Sequence, residues 1–492
     1  MGAPETLPLL DPAAFAGRVF DGARWQSPLG GARNVHEPAT GAPLASAGIA
    51  NAEDMRAAIT RAHAAQPAWA ALNPRERAAV LLRAATLLQQ HFDELALAIA
   101  RETGGIVPKG QHEVKEAIVL CQIAAGLPLQ SQGEVLPSVP GRLSIARRVP
   151  HGVVGVISPF NFPLILGIRS VAPALALGNA VVLKPDPRTP VTGGVIMAEV
   201  FRQAGLPDGV LQVLPGDAEA GEVLVTDARV PMIAFTGSPG VGRRIGELAG
   251  KHLKKVSLEL GGANNLIILD DVDLDAAASA AAFGAWFHQG QICMASNRVL
   301  VHEAVAEGLK QRLVGKAQHL PVGDGASGRV ALGPMIDTKQ LQRFDAVVKD
   351  TVKQGAKLEA GGSFEGLCYQ PTVLSGVKPG MRSFDEEPFG PLVNLVTFRT
   401  DEEAVELANN SQGGLAAAVI GRNVARAMAI GQRLNAGMVH INDQTVNDEC
   451  TNPFGGPGLG GNGSAVGGPA DIDEYTRWQW LTVKDTPPAF PF

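Results

Sequence analysis

Val153-Val154-Gly155-Val156-Ile157-Ser158, followed after an apolar segment by Ala180-Val181-Val182-Leu183-Lys184, decides the fold. Both are short, β-branched runs bounded by Gly, Pro or Asn, which is how a strand reads. The pattern recurs at residues 210–213, 232–235 and 255–259, with helical stretches between. Strand, helix and strand in repetition predict an α/β fold with a parallel sheet. After Gly262 a second alternating set, residues 265–269, 298–302, 369–374, 392–398 and 437–442, predicts a second α/β domain.

Working outward, the first fifty residues are irregular, and helical periodicity then runs through residues 51–72 and 74–102. A short strand-turn-strand signal at residues 134–136 and 144–148 belongs to neither sheet, and the aromatic-rich tail from Tyr475 to Val483 is another isolated strand. Unpaired edges need partners, and pairing into another subunit is one way to supply them. The glycine-rich segment 455–468 reads as a mobile or tightly folded loop.

The 492 residues exceed one ordinary core and predict two or three domains, and 46% hydrophobic residues exclude a largely disordered chain. The net charge is −6, from 42 basic against 48 acidic residues, without a long basic run. A nucleic-acid or anionic-membrane partner is therefore not expected. The most apolar stretch, residues 153–183, carries Asn161, Arg169, Asn179 and prolines 159, 163 and 173, so it reads as buried core. Met1-Gly2-Ala3-Pro4-Glu5 lacks the pattern of a signal peptide. Cys121, Cys293, Cys368 and Cys450 form no CxxC or disulfide-scaffold spacing, as expected for the cytoplasm.

Five features carry chemistry. Cys293 follows the polar, glycine-containing turn His288-Gln289-Gly290-Gln291 at the end of a long alanine-rich helix, and both a nucleophile and an inert thiol fit that setting. Glu259 alternates between leucines at a strand end, where a carboxylate serves as a general base or caps a turn. Phe235-Thr236-Gly237-Ser238-Pro239-Gly240-Val241-Gly242 is a strand, glycine turn and helix start suited to a pyrophosphate, though it is not GxGxxG. Lys184 puts a cation over the same sheet edge. Asn161, wedged in Pro159-Phe160-Asn161-Phe162-Pro163, either satisfies local backbone or donates to an oxyanion. No metal-ligand cluster is evident.

Together, Pro159-Phe160-Asn161-Phe162-Pro163, Lys184-Pro185, Phe235-Thr236-Gly237-Ser238, Glu259-Leu260-Gly261-Gly262, Gly290-Gln291-Ile292-Cys293, Glu387-Pro388-Phe389-Gly390-Pro391 and Pro453-Phe454-Gly455-Gly456 resemble the aldehyde dehydrogenase superfamily, in its order and over nearly the whole chain. The resemblance implies a Rossmann-like cofactor domain (residues 1–130 and 150–261), an α/β catalytic domain (262–460) and a β-hairpin oligomerisation arm (131–149 and 470–492). It implies Cys293 as nucleophile, Glu259 as the base that activates water, and Asn161 as oxyanion donor. Lys184 then bonds the adenosine ribose and Ser238 the pyrophosphate. Ser158, Pro159, Phe160, Gly237, Gly242, Leu260 and Gly261 complete the cofactor site, while Glu387 and Phe389 position the nicotinamide end.

Longer stretches, among them residues 147–157, 169–180, 287–294 and 437–444, resemble bacterial benzaldehyde dehydrogenases. An aromatic aldehyde is the expected substrate, with Phe162, Trp286, Phe287 and Phe454 to receive its ring, although each is also an ordinary core aromatic. Vanillin-like, medium aliphatic and semialdehyde substrates remain alternatives. NAD is the expected cofactor. NADP is also admitted, because Lys184-Pro185-Asp186-Pro187 lacks the glutamate three residues after the lysine that many NAD-specific members carry. Arg169 and Ser170 stand where an aromatic and a lysine are frequent, and for Arg169 a surface or interdomain ion pair is favoured over substrate contact. Retention of Glu259 argues against acyl transfer to coenzyme A. A cysteine hydrolase would need a histidine partner, and His288 reads as a loop or interface residue. The resemblance also implies a homo-oligomer, a dimer or tetramer.

Overall fold

Val153–Ile157 lies inside a seven-stranded sheet, in the order Lys255–Glu259, Met232–Thr236, Val153–Ile157, Ala180–Lys184, Leu211–Val213, Val19–Phe20 and Trp25–Gln26. The computed structural model describes residues 8–411 and 413–492, so the opening segment 1–5 read above lies outside the described residues. The first five strands of the sheet are mutually parallel, and the two short N-terminal strands extend it antiparallel. From Val153–Ile157 the chain winds outward through two strands, then returns to Met232–Thr236 on the opposite side. That reversal opens a crevice beyond the carboxyl ends of those two strands, where ligands of open α/β sheets bind. The helix between the first two parallel strands, Pro163–Ala176, is buried along its whole length. Among the described residues no helix is long and apolar enough to cross a membrane.

The second sheet also has seven strands, Lys357–Ala360, Thr372–Ser375, Leu392–Phe398, Arg298–His302, Asn265–Ile268, Gly414–Ile420 and Ala436–Ile441. Two differences from the sequence reading have clear causes. Residues 369–374 are not one strand, because Gln370-Pro371 separates Cys368–Tyr369 in a small hairpin from Thr372–Ser375 in the sheet, and proline cannot donate to a ladder. Gly414–Ile420, sixth in that order and paired on both sides, was not anticipated. Its sequence, Gly-Leu-Ala-Ala-Ala-Val-Ile, is alanine-rich, and burial between two neighbours overrides the helical preference of alanine.

On the amino-terminal side, Ala52–Ala71 and Pro74–Gln90 each begin with an asparagine capping box, at Asn51 and Asn73. The periodic stretch 74–102 breaks at His91, and a new helix, Phe92–Thr103, ends at left-handed Gly104. Helix Val107–Gly126, which carries Cys121 in the core, follows. The isolated strands find one another: Gly133–Val135, Leu143–Pro150 and Thr476–Val483 form a three-stranded antiparallel sheet within one chain, the last pairing along its full length with the second. The tail strand begins one residue later than expected, since Tyr475 closes helix Ala470–Tyr475. The glycine-rich segment is tightly folded. Leu260 N–H donates to the Gly460 carbonyl, Leu258 N–H to Asn462 Oδ1, and Phe454 and Val466 exchange backbone bonds.

Candidate active site

The segment leading to Cys293 is conformationally costly and correspondingly well held. Helix Leu274–Trp286, capped by Asp273, gives way to His288, Gln289 and Gly290, all with positive φ (48°, 55° and 64°). Left-handed backbone at non-glycine residues costs on the order of 1 kcal/mol or more each and persists where neighbours enforce it. Gln289 Nε2 donates to the Gly104 and Pro334 carbonyls at 2.8 and 3.0 Å, and Gln291 Oε1 accepts from Ile336 N at 3.1 Å. A Cβ on Gly290 would stand 2.1 Å from the Gly390 carbonyl oxygen, so only glycine fits there. Asn264 Nδ2 then fixes the Cys293 carbonyl at 2.7 Å. The half-buried thiol faces a cavity of about 640 Å³ that also touches Asn161, Lys184, Ser238, Glu259 and Glu387.

Glu259 ends the strand Lys255–Glu259, and both of its carboxylate oxygens are buried without a hydrogen-bond partner. Burial raises its pKa well above the ordinary carboxylate value; Arg169 opposes the shift, while Glu474 and Asp448 reinforce it. Glu387 behaves similarly, pushed up to about 8 by burial against the pull of Arg343 and the Gly262 backbone. Burial, then Glu387, Glu259 and Asp448, push the Cys293 thiol upward. The resting site therefore holds a thiol beside two carboxyl groups that resist ionisation. Asn161 Nδ2 donates to the Gln291 carbonyl at 2.9 Å, two residues before Cys293, which leaves its second N–H for another acceptor.

The cavity runs from this thiol to the crevice of the first sheet, touching Ser158, Pro159 and Phe160 after one strand and Gly237 and Ser238 after the next. Helix Pro239–Lys251 starts there with Ser238 as N-cap and no side-chain cap, so its first N–H groups are available to an anion. Gly242 packs on Leu260: a Cβ on the glycine would come within 2.5 Å of the leucine side chain, which places both as supports behind the cavity wall. Gly261 lies directly under the Glu387 carboxylate, whose Oε1 is buried and unpartnered. Phe389 adopts φ 53° and meets Phe160 edge-on at 5.9 Å between centroids. Lys184 is buried at its strand end, its pKa lowered by burial against the pull of Asp186 and Asp217.

The aromatic residues fall elsewhere. Trp286 sits in the core beneath the second sheet, Phe287 stacks on Phe283 at 4.8 Å, Phe162 meets His288 edge-on at 5.2 Å, and Phe454 carries the Arg169 guanidinium 4.6 Å above its ring. Arg169 is buried and paired with Asp448 at 2.5 Å, an internal ion pair. His288, read as a loop or interface residue, is buried and kept neutral by desolvation and by Lys109. Sequence reasoning missed three further contributors. Arg188 binds the Asp186 carboxylate through two guanidinium nitrogens, reaches Asp337, and lies 3.9 Å over the Phe160 ring. Arg343 and Gln340 donate to the carbonyls of residues 387–389 and hold that loop over the cavity. None of the three belongs to a motif, and only the folded chain brings them to the wall.

A doubly wound sheet with an anion-receptive helix start in its crevice, opening onto a thiol beside two buried carboxyl groups, is the arrangement of a nucleotide-dependent enzyme. The chain belongs to the aldehyde dehydrogenase family, whose model matches residues 25–481. It is 52% identical to a vanillin dehydrogenase of an Amycolatopsis species, over 98% of this chain and 99% of the relative. It is 50% identical to a benzaldehyde dehydrogenase [NAD(+)] of Pseudomonas putida, over 97% and 98%. Among solved structures, an NAD-dependent aldehyde dehydrogenase from Sinorhizobium meliloti superposes with a TM-score of 0.93 at 34% identity, covering 97% of this chain and 96% of that one.

Proposed function

We propose that the protein oxidises aromatic aldehydes of the benzaldehyde and vanillin type to carboxylic acids with NAD, through a thioester on Cys293. The observation that carries this reading is the placement of Cys293 and the partnerless Glu259 on one cavity with Asn161. Cys293 gives up its thiol proton to water and, as the thiolate, attacks the aldehyde carbon, and the oxyanion of the thiohemiacetal is held by the Asn161 side chain and the Cys293 backbone N–H. NAD, when bound, supplies the acceptor for the hydride that leaves this carbon. Glu259 then takes a proton from water, which attacks the thioester, releasing the acid and the thiol.

The wall fits the dinucleotide. Uncapped N–H groups behind Ser238 suit the pyrophosphate, Lys184 a ribose hydroxyl, and the unpartnered Glu387 oxygen the other ribose, with Phe389 beside the ring. Residues 1–130 with 150–261 and residues 262–460 are taken as the cofactor and catalytic domains. The three-stranded sheet exposes apolar side chains on both faces, Trp478 and Trp480 on one and Val135, Leu143 and Val483 on the other, surface suited to a second copy of the chain, so a cytoplasmic homo-oligomer built on residues 131–149 and 470–492 is part of the proposal.

The test is formation of reduced cofactor with benzaldehyde, vanillin, hexanal and succinate semialdehyde. A kcat/KM for the aromatic aldehydes at least about tenfold above the others is expected; preference for hexanal or the semialdehyde overturns the substrate assignment. For the cofactor, Asp186 beside Lys184 places a negative charge near the adenosine ribose subsite, held by Arg188. Replacing it removes repulsion of a 2′-phosphate and frees the guanidinium. Asp186→Ser is expected to raise kcat/KM for NADP relative to NAD by about tenfold, roughly 1.4 kcal/mol. An unchanged ratio would place Asp186 outside cofactor selection.

A further inference from the structure

Lys109 and Glu113, one turn apart on helix Val107–Gly126, form an ion pair in which neither side chain is exposed at all. Removing two charges from water is costly, and burial depresses the lysine pKa even against the attraction of Glu113. The chemistry above uses neither group, so their other contacts matter. The Lys109 ammonium donates to the Asn161 carbonyl at 2.6 Å and lies 4.4 Å from the centre of the Phe162 ring. Glu113 Oε2 accepts the Leu164 and Ile165 N–H groups at 3.1 and 3.2 Å. Helix Pro163–Ala176 needs that remote acceptor, because its N-cap is Phe162, which has no capping side chain. One buried pair therefore grips residues 161–165 at the Asn161 peptide, the Phe162 ring and the helix start, while the His288 edge meets the Phe162 ring as well.

Capping alone would require only Glu113. Lys109 adds a bond to the very peptide that carries Asn161, whose side-chain amide sits 2.9 Å from the Gln291 carbonyl, beside the nucleophile turn. We propose that the Lys109–Glu113 pair is the positioning element of the oxyanion site, holding the Asn161 peptide so that its amide stays aimed at the oxygen that becomes charged on Cys293. The proposal rests on the reading of Asn161 as oxyanion donor. A displacement of about 1 Å in such a group costs on the order of 100-fold in rate, so a rigid and internally neutralised clamp has catalytic value beyond its net stability.

The test is a mutant cycle on the full-length enzyme, with the pre-steady-state rate of reduced-cofactor formation at saturating benzaldehyde as readout. Lys109→Met with Glu113→Gln removes both charges together, leaves neither unpaired, and keeps an oxygen for the Leu164 and Ile165 N–H groups. That double variant is expected to slow the burst about 30-fold with KM within about twofold. Asn161→Ala is expected to slow it about 100-fold, and combining all three changes should cost no more than Asn161→Ala alone, because the pair acts through that residue. Multiplying losses, or a fall in melting temperature with an unchanged burst rate, overturns the positioning role and leaves a structural cap. A wild-type burst in Asn161→Ala overturns the oxyanion reading itself, and the proposal with it. Should the double variant not accumulate, Glu113→Gln alone, in which the lysine can shed its charge, is expected to slow the burst about fivefold with the same non-additivity; full additivity there overturns the proposal equally.

Discussion

Cys293→Ala is expected to lose aldehyde-dependent formation of reduced cofactor by on the order of 10⁴-fold or more, in both the first turnover and the steady state. No other thiol can substitute. Cys121 is wholly buried in the core and pushed up to about 12 by burial. Cys450, likewise raised to about 12, bonds Glu116 Oε2 at 3.0 Å, and Cys368 lies in the small hairpin Phe364–Glu365 with Cys368–Tyr369. None of these three lines the cavity. Because the turn before Cys293 is held by Gln289, Gln291 and Asn264, deleting the sulfur should leave the fold and cofactor affinity intact. The checks are rapid-mixing kinetics, cofactor titration and thermal unfolding on the same preparation. Residual first-turnover rates near wild type would remove Cys293 from the reaction, whereas a large loss of cofactor affinity would mean that the sulfur supports the site rather than attacks the substrate.

Most of the parallel strands could be placed from sequence because they are short apolar, β-branched runs set off by Gly, Pro or Asn, as in residues 180–184, between Asn179 and Pro185, and 392–398, which follows Pro391. Gly414–Ile420 could not, since alanine carries no strand signal and its neighbours in the sheet come from distant parts of the chain. The same logic separates the site residues. Cys293, Glu259 and Asn161 stand out locally, each a reactive or polar group set against apolar or strained surroundings. Lys109 and Glu113 look like ordinary surface residues four apart on a helix, and only packing reveals that neither touches water. Arg188 and Arg343 reach the cavity wall by tertiary folding alone. The tail strand and the hairpin were recognisable as strands, but that they satisfy each other within one chain depends on a register of eight residue pairs, from Thr476 opposite Pro150 to Val483 opposite Leu143, that periodicity does not encode.

Glu259→Gln should separate the two halves of the reaction. Attack by Cys293 and departure of hydride do not need the carboxylate as a base for water, so a first-turnover burst of reduced cofactor is expected to remain, with amplitude near one per site. Thioester hydrolysis does need it, and steady-state turnover should fall by about 100- to 1000-fold. The pH dependence gives a second, independent reading. Burial raises the Glu259 pKa, and the working form is the carboxylate, so wild-type turnover should climb with pH beyond the usual carboxylate range. The glutamine variant should lack that limb. Stability moves in the opposite sense. A carboxyl group whose pKa is higher folded than unfolded binds its proton more tightly in the native state, so its stabilising contribution is full below the unfolded value and is lost as pH rises toward the folded one. Glu259→Gln cannot ionise and escapes that loss, so its melting temperature should gain on wild type as pH increases. A wild-type steady state in the variant, or a melting difference that does not change with pH, would show that Glu259 is neither the base nor the buried acid that its surroundings describe.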